Sequence, residues 1–427
     1  MSRVALLSSE PLRPRLAGIG IRYVELAQRL AARGMDVVVI SPAAVAETAE
    51  LGIPVDRIRP FARERLAELL ADRDAVVAQG QLANDAVLTA PGLPTVVDLY
   101  DPWLVENLHY VESLGLDPYR NDHATWVLQM SRGDFFLCSS EEQRLFYLGF
   151  LAALGRVNPR RVAMDPDLRG LVDVVPFGVP DTLPAHRPVL PARQAGEKRI
   201  LFGGLYDWYD PFTLLAALER LVDLPWSLWL LRNPNPDGTP QRLFAEVERR
   251  CRARGWWEGR VRVLDWLPAE RRFDLLRDAD VLVAPHRLTL ETRLAMRTRF
   301  LEALACGCPV VTSEGGALSR MLLAEGAGWV VEPERPEPLA AALREVLAGD
   351  AEVERRLARA RGLAARLTWE RAIAPLVAFL ERPATDPTKG EFAFRPATVA
   401  PPDSLAFRVR RWLARRRPAG AAKGSGR

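Results

Sequence analysis

The sequence contains few cysteines and histidines, four of each among 427 residues. Cys138 and Cys251 stand alone, and Cys306 and Cys308 form a single C-x-C pair, whereas a structural zinc site needs paired clusters of ligands. Cysteines within apolar runs are more often small core residues than metal ligands. The sequence therefore predicts no metal site, and its cysteine usage fits a reducing cytoplasm.

Long hydrophobic runs are also missing. No apolar stretch reaches the roughly 18 residues that a membrane-spanning helix needs, and the N-terminal segment does not have the architecture of a signal peptide. Hydrophobic residues make up 48% of the chain and charged residues 26%, as in an ordinary globular protein. We therefore expect a cytoplasmic protein, long enough for two domains that each have a core.

The formal net charge of +4 is unevenly distributed along the chain. From Asp403 to the C-terminus, eight Arg and Lys residues accompany one acidic residue, so the rest of the chain is slightly acidic. The basic excess thus belongs to the tail, and no nucleic-acid partner is predicted. The proline-rich segment 383–402 predicts disorder. Residues 405–417 could form a basic amphipathic helix on an anionic membrane, which would make the protein peripheral on the inner membrane face, or they could be a solvated tail that binds nothing specific.

Short apolar strands alternate with helices in two successive series, which predicts parallel sheets with helices on both faces. A segment rich in Pro, Ala and Arg, 181–197, separates the series. The predicted fold is therefore α/β, with two doubly wound, Rossmann-like domains that face a central cleft. They comprise residues 1–180 and 198–382, and a tail, 383–427, follows. The predicted strands are 4–8, 36–40, 75–79, 95–98, 135–139 and 172–176, then 199–202, 226–231, 261–264, 281–284, 310–312 and 328–331.

A glycine-containing loop follows the first predicted strand and includes Gly18, Gly20 and Arg22. Glycines there let a ligand approach the backbone and leave the N-terminal amides of the next helix, predicted over Tyr23–Arg33, free for an anion. The positive charge of Arg22 near the start of that helix interacts unfavourably with the helix dipole, unless an anion binds beside it. The third glycine of the dinucleotide fingerprint is absent because residue 23 is Tyr, so a dehydrogenase is disfavoured. A simple turn is the alternative.

Three further motifs follow predicted strands at the cleft edge. Asp98 and Asp101 could orient an acceptor or act as a weak base, although one of them could be only a helix cap. The pair Gly203–Gly204 leads into the aromatic loop 206–209, which suits a stacking surface for a base or sugar, or packing against the other domain. His286 is the best-placed histidine for contact with substrate, although a lone histidine is more often structural.

The segment 290–311 is the most informative part of the chain, because a charged, helix-forming run leads directly into an apolar strand. If a helix begins near Met296, its first turn contains Arg297 and Arg299. Two arginines in that position suit a diphosphate. Glu302, one turn further, could accept both hydroxyls of a ribose. The alternative is a ladder of Arg–Glu pairs on a surface helix. We favour the ligand-binding interpretation.

Residues 302–316 and 326–331 resemble the donor-binding end of a family 4 glycosyltransferase. The glycine loop and the helix after it resemble the start of the same family, and a closing helix over 369–380 fits its GT-B architecture. This helix could pack back on the N-terminal domain. The resemblance covers most of residues 1–382, and several segments are similar to a bacterial subgroup found among surface-polysaccharide genes.

The resemblance implies transfer of a sugar from a nucleotide-diphosphate sugar to a glycan or lipid-linked acceptor. It also implies retention at the anomeric carbon, and neither a cofactor nor an obligatory metal. By position, Glu302 would hold the ribose. Other positions would face the diphosphate or let the sugar phosphate approach the backbone: Gly18, Gly20, Arg22, Gly315 and Gly316.

The chain departs from the family pattern at two places. Leu294 stands where the family usually has a second acid, eight positions before the ribose glutamate, and Glu291 could substitute for it. Gly204 and Tyr209 stand where the family usually has an Arg and a Lys. Because the leaving-group charge must be stabilised without a metal, we predict that other cations hold the diphosphate: Arg293, Arg297 and Arg299, with Arg22 across the cleft.

Two other functions stay open. The missing acid and the missing Arg and Lys would also fit a catalytically degenerate GT-B scaffold in a polysaccharide assembly complex. A GT-B nucleotide-sugar epimerase or phosphorylase is the second alternative, although such enzymes keep a cofactor lysine or more catalytic acids.

Overall fold

The computed structural model describes residues 1–202, 205–232 and 243–393, together with Leu405, Val409 and Trp412. It contains two parallel sheets, one from each predicted series of strands, so the predicted fold class is confirmed. The predicted basic helix over 405–417 lies largely outside the described residues.

The N-terminal domain has a parallel sheet in the order β3-β2-β1-β4-β5-β6-β7. Its strands are β1 (Arg3–Leu7), β2 (Asp36–Ser41), β3 (Ile58–Pro60), β4 (Ala75–Ala78), β5 (Thr95–Asp98), β6 (Phe135–Cys138) and β7 (Val172–Val174). Its helices are α1 (Gly18–Ala32), α2 (Val45–Ala49), α3 (Leu66–Leu70), α4 (Gly80–Thr89), α5 (Trp103–Glu106), α6 (Val111–Leu114), α7 (Leu116–Arg132), α8 (Glu141–Ala153) and α9 (Pro159–Met164). The edge strand β3 was not predicted, because only one of its three residues is apolar and buried.

The described part of the C-terminal domain has a second parallel sheet, in the order β10-β9-β8-β11-β12-β13. Its strands are β8 (Lys198–Phe202), β9 (Trp226–Leu231), β10 (Val261–Leu264), β11 (Val281–Ala284), β12 (Val310–Ser313) and β13 (Trp329–Val331). Its helices are α10 (Pro211–Leu218), α11 (Leu243–Ala253), α12 (Arg272–Asp278), α13 (Leu290–Leu294), α14 (Thr298–Cys306), α15 (Ala317–Glu325), α16 (Pro336–Ala348), α17 (Ala351–Ala364), α18 (Trp369–Ala372) and α19 (Ala374–Glu381). In both sheets the strand order reverses beside the first strand, which is where such folds bind ligands.

The helices near the cleft differ from the predictions at their ends. Helix α1 begins at Gly18 rather than Tyr23, so both glycines of the predicted loop lie in its first turn. The charged run after β11 forms two helices, α13 and α14, with a break at residues 295–297. Helix α14 ends at Gly307 in the left-handed conformation, which favours glycine. The break brings the start of α14 towards the cleft.

Residues 181–197 connect the N-terminal domain to the C-terminal domain, and near its end the chain returns to the N-terminal domain, which is the second crossing between them. Val179 and Thr368 form a parallel bridge, and the rings of Phe177 and Trp369 lie 4.7 Å apart. Helices α18 and α19 then pack on the N-terminal domain, where Phe379 stacks on Phe135 at 4.8 Å.

The segment that follows α19 corrects the prediction of disorder from Pro383. Up to residue 393, this segment lies against the N-terminal domain, and Asp386 and Thr388 are buried. Asp386 pairs with Arg156 at 2.9 Å, with both side chains 1% exposed. Lys389 pairs with Asp134 at 2.8 Å. Buried, paired side chains of this kind are inconsistent with a freely solvated segment.

Candidate functional site

A cavity of about 260 Å³ lies between the two domains at the carboxyl ends of their strands. The N-terminal domain contributes the start of α1 and the loop between β5 and α5. The C-terminal domain contributes the aromatic loop before α10 and the start of α14. The residues that line it are Leu16, Ala17, Gly18, Ile19, Ile21, Tyr100, Asp101, Pro102, Glu106, Leu201, Tyr206, Trp208, Tyr209, Leu231, Trp266, Leu267, Ala269, Arg272, Leu275, Leu276, Ala295, Met296, Arg297, Thr298, Arg299 and Glu302.

Direct hydrogen bonds hold the domains together beside this cavity. The indole nitrogen of Trp266 donates to the carbonyl oxygen of Leu16 at 2.8 Å. Gln143 is buried and donates from Nε2 to the carbonyl oxygen of Leu294 at 2.9 Å. The two walls of the cavity are therefore held in a defined relative position.

Two carboxyl groups, those of Asp101 and Glu106, line the wall formed by the N-terminal domain. Oδ1 of Asp101 accepts a hydrogen bond from Nε2 of Gln79 at 3.0 Å. Burial and the nearby charge of Asp98 raise the pKa of Asp101 to about 7. Burial, followed by the charges of Asp101 and Glu291, raises the pKa of Glu106 well above its usual range. Glu106 was not predicted, although its place one turn after the Asp101-Pro102 helix start is a usable signal.

Arg22 and Asp98 do not face the cavity, which corrects both predictions. Their side chains have no exposed surface, and Nε of Arg22 donates to Oδ2 of Asp98 at 2.6 Å. Nη1 of Arg22 donates to the carbonyl oxygen of Pro176 at 3.2 Å, and the guanidinium lies 4.9 Å from the ring centre of Tyr100. Both charges are used within the protein, so Arg22 is not available to a diphosphate.

Backbone amides at the start of α1 are also hydrogen-bonded within the protein, to the carboxylate of Glu10. Its two oxygens accept from the backbone nitrogens of Ala17 and Gly20, both at 2.6 Å. Burial raises the pKa of Glu10, and these two hydrogen bonds oppose that shift. Gly18 lines the cavity, but a Cβ on Gly20 would lie 2.5 Å from Cδ2 of Leu16 and 3.0 Å from the Glu10 carboxyl. Gly20 therefore makes room for the side chains of Leu16 and Glu10 rather than for a ligand.

The wall formed by the C-terminal domain carries the predicted arginines of α14. Arg297 immediately precedes α14 and Arg299 lies in its first turn, and both line the cavity. The guanidinium of Arg297 lies 5.2 Å from the ring centre of Tyr209, and that of Arg299 lies 5.1 Å from Trp266. The positive end of the helix dipole lies beside them. Arg299 can therefore contact an anion in the cavity, whereas Arg297 shares its charge with Glu291.

Glu302 also lines the cavity, one turn further along α14. Its Oε1 accepts from Nε of Arg272 at 2.7 Å, an arginine that sequence reasoning did not single out. The pair keeps the Glu302 carboxylate in a fixed position at the cavity wall.

Other predicted residues lie away from the cavity. Glu291 is 1% exposed and binds Nη2 of Arg297 at 2.7 Å, so it positions that arginine instead of facing a sugar. Arg293 is exposed and is not among the lining residues. His286 is buried, and its burial, together with the charge of Arg297, lowers its pKa to about 3. The imidazole is therefore neutral and enclosed, which corrects its predicted contact with substrate.

The glycine pair before α15 is enclosed as well. A Cβ on Gly315 would lie 2.5 Å from Cγ2 of Thr292, and one on Gly316 would lie 2.6 Å from the carbonyl oxygen of Ala295. These glycines permit close packing against the end of α13, instead of the predicted approach of a sugar phosphate. Gly203 and Gly204 lie outside the described residues.

Neither a membrane span nor a metal cluster is found in the described ranges. No helix in them is long and apolar enough to cross a membrane. They contain no group of three or more His, Cys, Asp or Glu side chains arranged to hold a metal ion. The four cysteines are all free.

Comparison with protein families and curated sequences gives matches to glycosyltransferases. Residues 197–349 match the family described as "Glycosyl transferases group 1". The chain is 31% identical over 222 residues to the D-inositol 3-phosphate glycosyltransferase of Xylanimonas cellulosilytica. This aligned region covers 48% of the chain and 50% of the relative. It is 36% identical over 106 residues to a GDP-mannose-dependent alpha-(1-6)-phosphatidylinositol dimannoside mannosyltransferase of Mycobacterium tuberculosis, over 25% of this chain and 26% of the relative. The chain thus spans at most about half the length of these two relatives.

Solved structures show the same fold over nearly the whole chain. HepE of Anabaena, in complex with UDP and glucose, superposes with a TM-score of 0.67 at 15% identity, covering 89% of this chain and 100% of HepE. Sucrose-phosphate synthase of Thermosynechococcus elongatus gives a TM-score of 0.65 at 18% identity, over 90% and 99% of the two chains. At these identities the likeness establishes the GT-B fold alone.

Proposed function

Because the chain carries a glycosyl transferases group 1 domain within a GT-B fold, we propose that it is an enzyme that transfers a hexosyl group. The donor is a nucleotide-diphosphate sugar, and the acceptor is a polyhydroxyl group on a glycan or a lipid-linked molecule. The observation that carries the proposal is the distribution of arginine and carboxyl side chains between the two walls of the cavity. Arg297 and Arg299 lie on the C-terminal wall, and Asp101 and Glu106 lie on the N-terminal wall.

The arginine wall suits the donor. Transfer of the sugar leaves a nucleoside diphosphate, whose charge grows as the glycosidic bond breaks. Arg297 and Arg299 would stabilise this charge, which is why we propose that no metal is obligatory. Glu302, held by Arg272 at 2.7 Å, accepts the ribose hydroxyls. The rings of Tyr206 and Trp208, stacked at 4.9 Å beside the same cavity, offer an aromatic face to the base or the sugar.

The acidic wall suits the acceptor. The carboxyl of Asp101, positioned by Gln79, can accept a hydrogen bond from an acceptor hydroxyl and so orient its oxygen towards the anomeric carbon. Retention at that carbon is part of the proposal, as is a role in cell-surface polysaccharide or glycoconjugate synthesis. The named acceptors of the relatives, an inositol phosphate and a phosphatidylinositol mannoside, are both polyols.

A nucleotide screen tests the donor half of this proposal. The full chain is mixed with UDP, GDP, dTDP and ADP and their hexose conjugates, and its unfolding temperature and binding isotherms are measured. A ligand at 100 times its dissociation constant stabilises a protein by about 2.7 kcal/mol, which such a screen detects readily. If none of these nucleotides binds, the proposal is wrong.

Turnover is measured next with the nucleotide sugar that binds. Release of nucleoside diphosphate upon addition of polyol acceptors, with the anomeric configuration of the product determined by NMR, is the expected result. The degenerate-scaffold alternative is favoured by Leu294, which provides no acid at the family's second position, and by the enclosure of Glu291. It predicts nucleotide binding without turnover.

A further inference from the structure

The proposed ribose ligand, Glu302, is linked to the N-terminal domain through one arginine. Arg272, the first residue of α12, donates from Nε to Oε1 of Glu302 at 2.7 Å. Its Nη2 lies 3.6 Å from Oε1 of Glu25, a residue of α1 in the other domain. None of the three side chains is more than 17% exposed, so solvent screens their charges only weakly. Arg272 therefore lies between two carboxylates, one from each domain.

The chain just before Arg272 is hydrogen-bonded to the N-terminal domain as well. The backbone nitrogen of Ala269 donates to the carbonyl oxygen of Pro14 at 2.8 Å. The indole nitrogen of Trp266 donates to the carbonyl oxygen of Leu16 at 2.8 Å. Nη1 of Arg272 in turn donates to the carbonyl oxygen of Ala269 at 2.7 Å. The guanidinium thus has partners on three sides, and its position depends on how the two domains are docked.

This arrangement uses only one oxygen of the Glu302 carboxylate. Oε1 accepts from Arg272, whereas Oε2 accepts no hydrogen bond from the residues that the structure describes. Because a guanidinium fixes the first oxygen, the second has a defined direction at the cavity wall. The 2′-hydroxyl of a ribose can donate a hydrogen bond to it, but a 2′-deoxyribose has no hydroxyl at that position.

We propose that Arg272 is a positioning residue that couples recognition of the donor's ribose to the docking of the two domains, through its contact with Glu25. The inference rests on the proposed function, because it assumes that Glu302 holds the ribose. Glu25 is not among the described residues that line the cavity, so it acts on a bound nucleotide through Arg272. The preference for a ribonucleotide donor is therefore set partly from the N-terminal domain.

The test compares the affinity of the full chain for UDP, GDP and ADP with its affinity for the 2′-deoxy form of each, by calorimetric titration. The ratio of the two dissociation constants isolates the ribose contact, since the base and the diphosphate are the same in both. Wild-type protein should prefer the ribonucleotide by about tenfold or more, as expected for one charge-assisted hydrogen bond. Arg272→Met should remove most of this preference, and Glu25→Gln should lower it by about two- to fivefold, as expected for an ion pair of modest strength.

Glu142→Gln is the matched control. Glu142 on α8 pairs with Arg320 on α15 at 2.5 Å, so this variant also removes a carboxylate from an ion pair between the domains. The pair includes neither Arg272 nor Glu302, and the variant should keep the wild-type ratio. A merely structural role of Glu25 would weaken binding of both nucleotides alike and leave the ratio unchanged.

Three results would overturn the inference. R272M that weakens the ribonucleotide and the 2′-deoxynucleotide equally shows that Arg272 contacts the nucleotide itself. E25Q with the wild-type ratio shows that the N-terminal domain has no part in ribose recognition, and this variant decides the matter if R272M does not fold. Equal binding of both nucleotides by wild-type protein shows that Glu302 does not hold the ribose. If wild-type protein binds none of the nucleotides, the proposed function itself is wrong and the inference falls with it.

Discussion

Arg22 and Asp98 form a two-point ion pair in which neither side chain has exposed surface. Nε of Arg22 lies 2.6 Å from Oδ2 of Asp98, and Nη2 lies 3.1 Å from Oδ1. The pair joins α1 to the end of β5, directly behind the cavity wall formed by Tyr100. Two charges this deeply buried stabilise the protein only while both are present.

Asp98→Asn is therefore expected to destabilise the protein strongly. It leaves the Arg22 guanidinium buried without a countercharge, which costs about 3–5 kcal/mol. Urea unfolding of wild type and variant measures the loss. The double variant R22M/D98L, which removes both charges, should recover much of it. An exposed pair, Arg3 and Asp74 at 2.8 Å, provides the comparison, and D74N should have a much smaller effect. Equal losses for D98N and D74N would contradict this assignment.

The raised pKa of Asp101 predicts how stability changes with pH. The carboxyl has a pKa of about 7 in the folded protein, against about 4 in an unfolded chain. Between these values the folded state binds more protons, so this contribution to stability is complete below about pH 4 and is lost as pH rises through about 7. D101N should remove that slope and raise stability at pH 8 by up to about 4 kcal/mol, the value for a difference of about three pKa units.

Thermal unfolding of wild type and D101N at a series of pH values measures this effect. The control is D117N, because Asp117 is an exposed acid on α7 whose side chain is 92% exposed. D117N should follow the wild-type profile. If D101N also keeps the wild-type slope, Asp101 is ionised in the folded protein at neutral pH and the prediction is wrong.

The two sheets could be predicted from the sequence because their strands are short apolar runs bounded by turn residues. Strand β3 was missed since Ile58 alone is buried in it. The ends of α1 and α14 were misplaced by a few residues, because neither helix starts with a side chain that caps it by a hydrogen bond.

The predicted site residues differ in whether nearby sequence reveals their surroundings. Arg297, Arg299 and Glu302 line the cavity because one helix carries them there. Arg22 was misassigned because its partner, Asp98, lies 76 positions away, and no local pattern reveals that pairing.

Gly178→Ala should weaken the second crossing between the domains. A Cβ at this position would lie 2.4 Å from the backbone nitrogen and Cα of Trp369, atoms that cannot move without shifting α18. Overpacking of this kind costs about 1–3 kcal/mol. Gly92→Ala is the control, because a Cβ there would meet no atom within 4 Å. Urea unfolding should distinguish the two variants, and equal stability would show that the crossing tolerates the extra methyl group.

Arg299→Ala is expected to weaken binding of the nucleoside diphosphate with little loss of stability. Arg299 lines the cavity and contacts Trp266 through its guanidinium. Arg297 is a poorer test, because its removal leaves Glu291 buried without its partner. A charge-assisted hydrogen bond contributes about 1.5–3 kcal/mol, so the dissociation constant should rise about tenfold or more.

Arg293→Ala is the matched control for Arg299→Ala. Arg293 lies only six positions away in the same charged run, yet it is exposed and outside the cavity lining. Calorimetric titration of the nucleoside diphosphate should give R293A the wild-type affinity. If R293A loses as much affinity as R299A, the diphosphate is held at the exposed end of α13 and not at the start of α14. If neither variant loses affinity, the arginine wall does not bind the donor, because the loss of a guanidinium in contact with a diphosphate cannot be neutral.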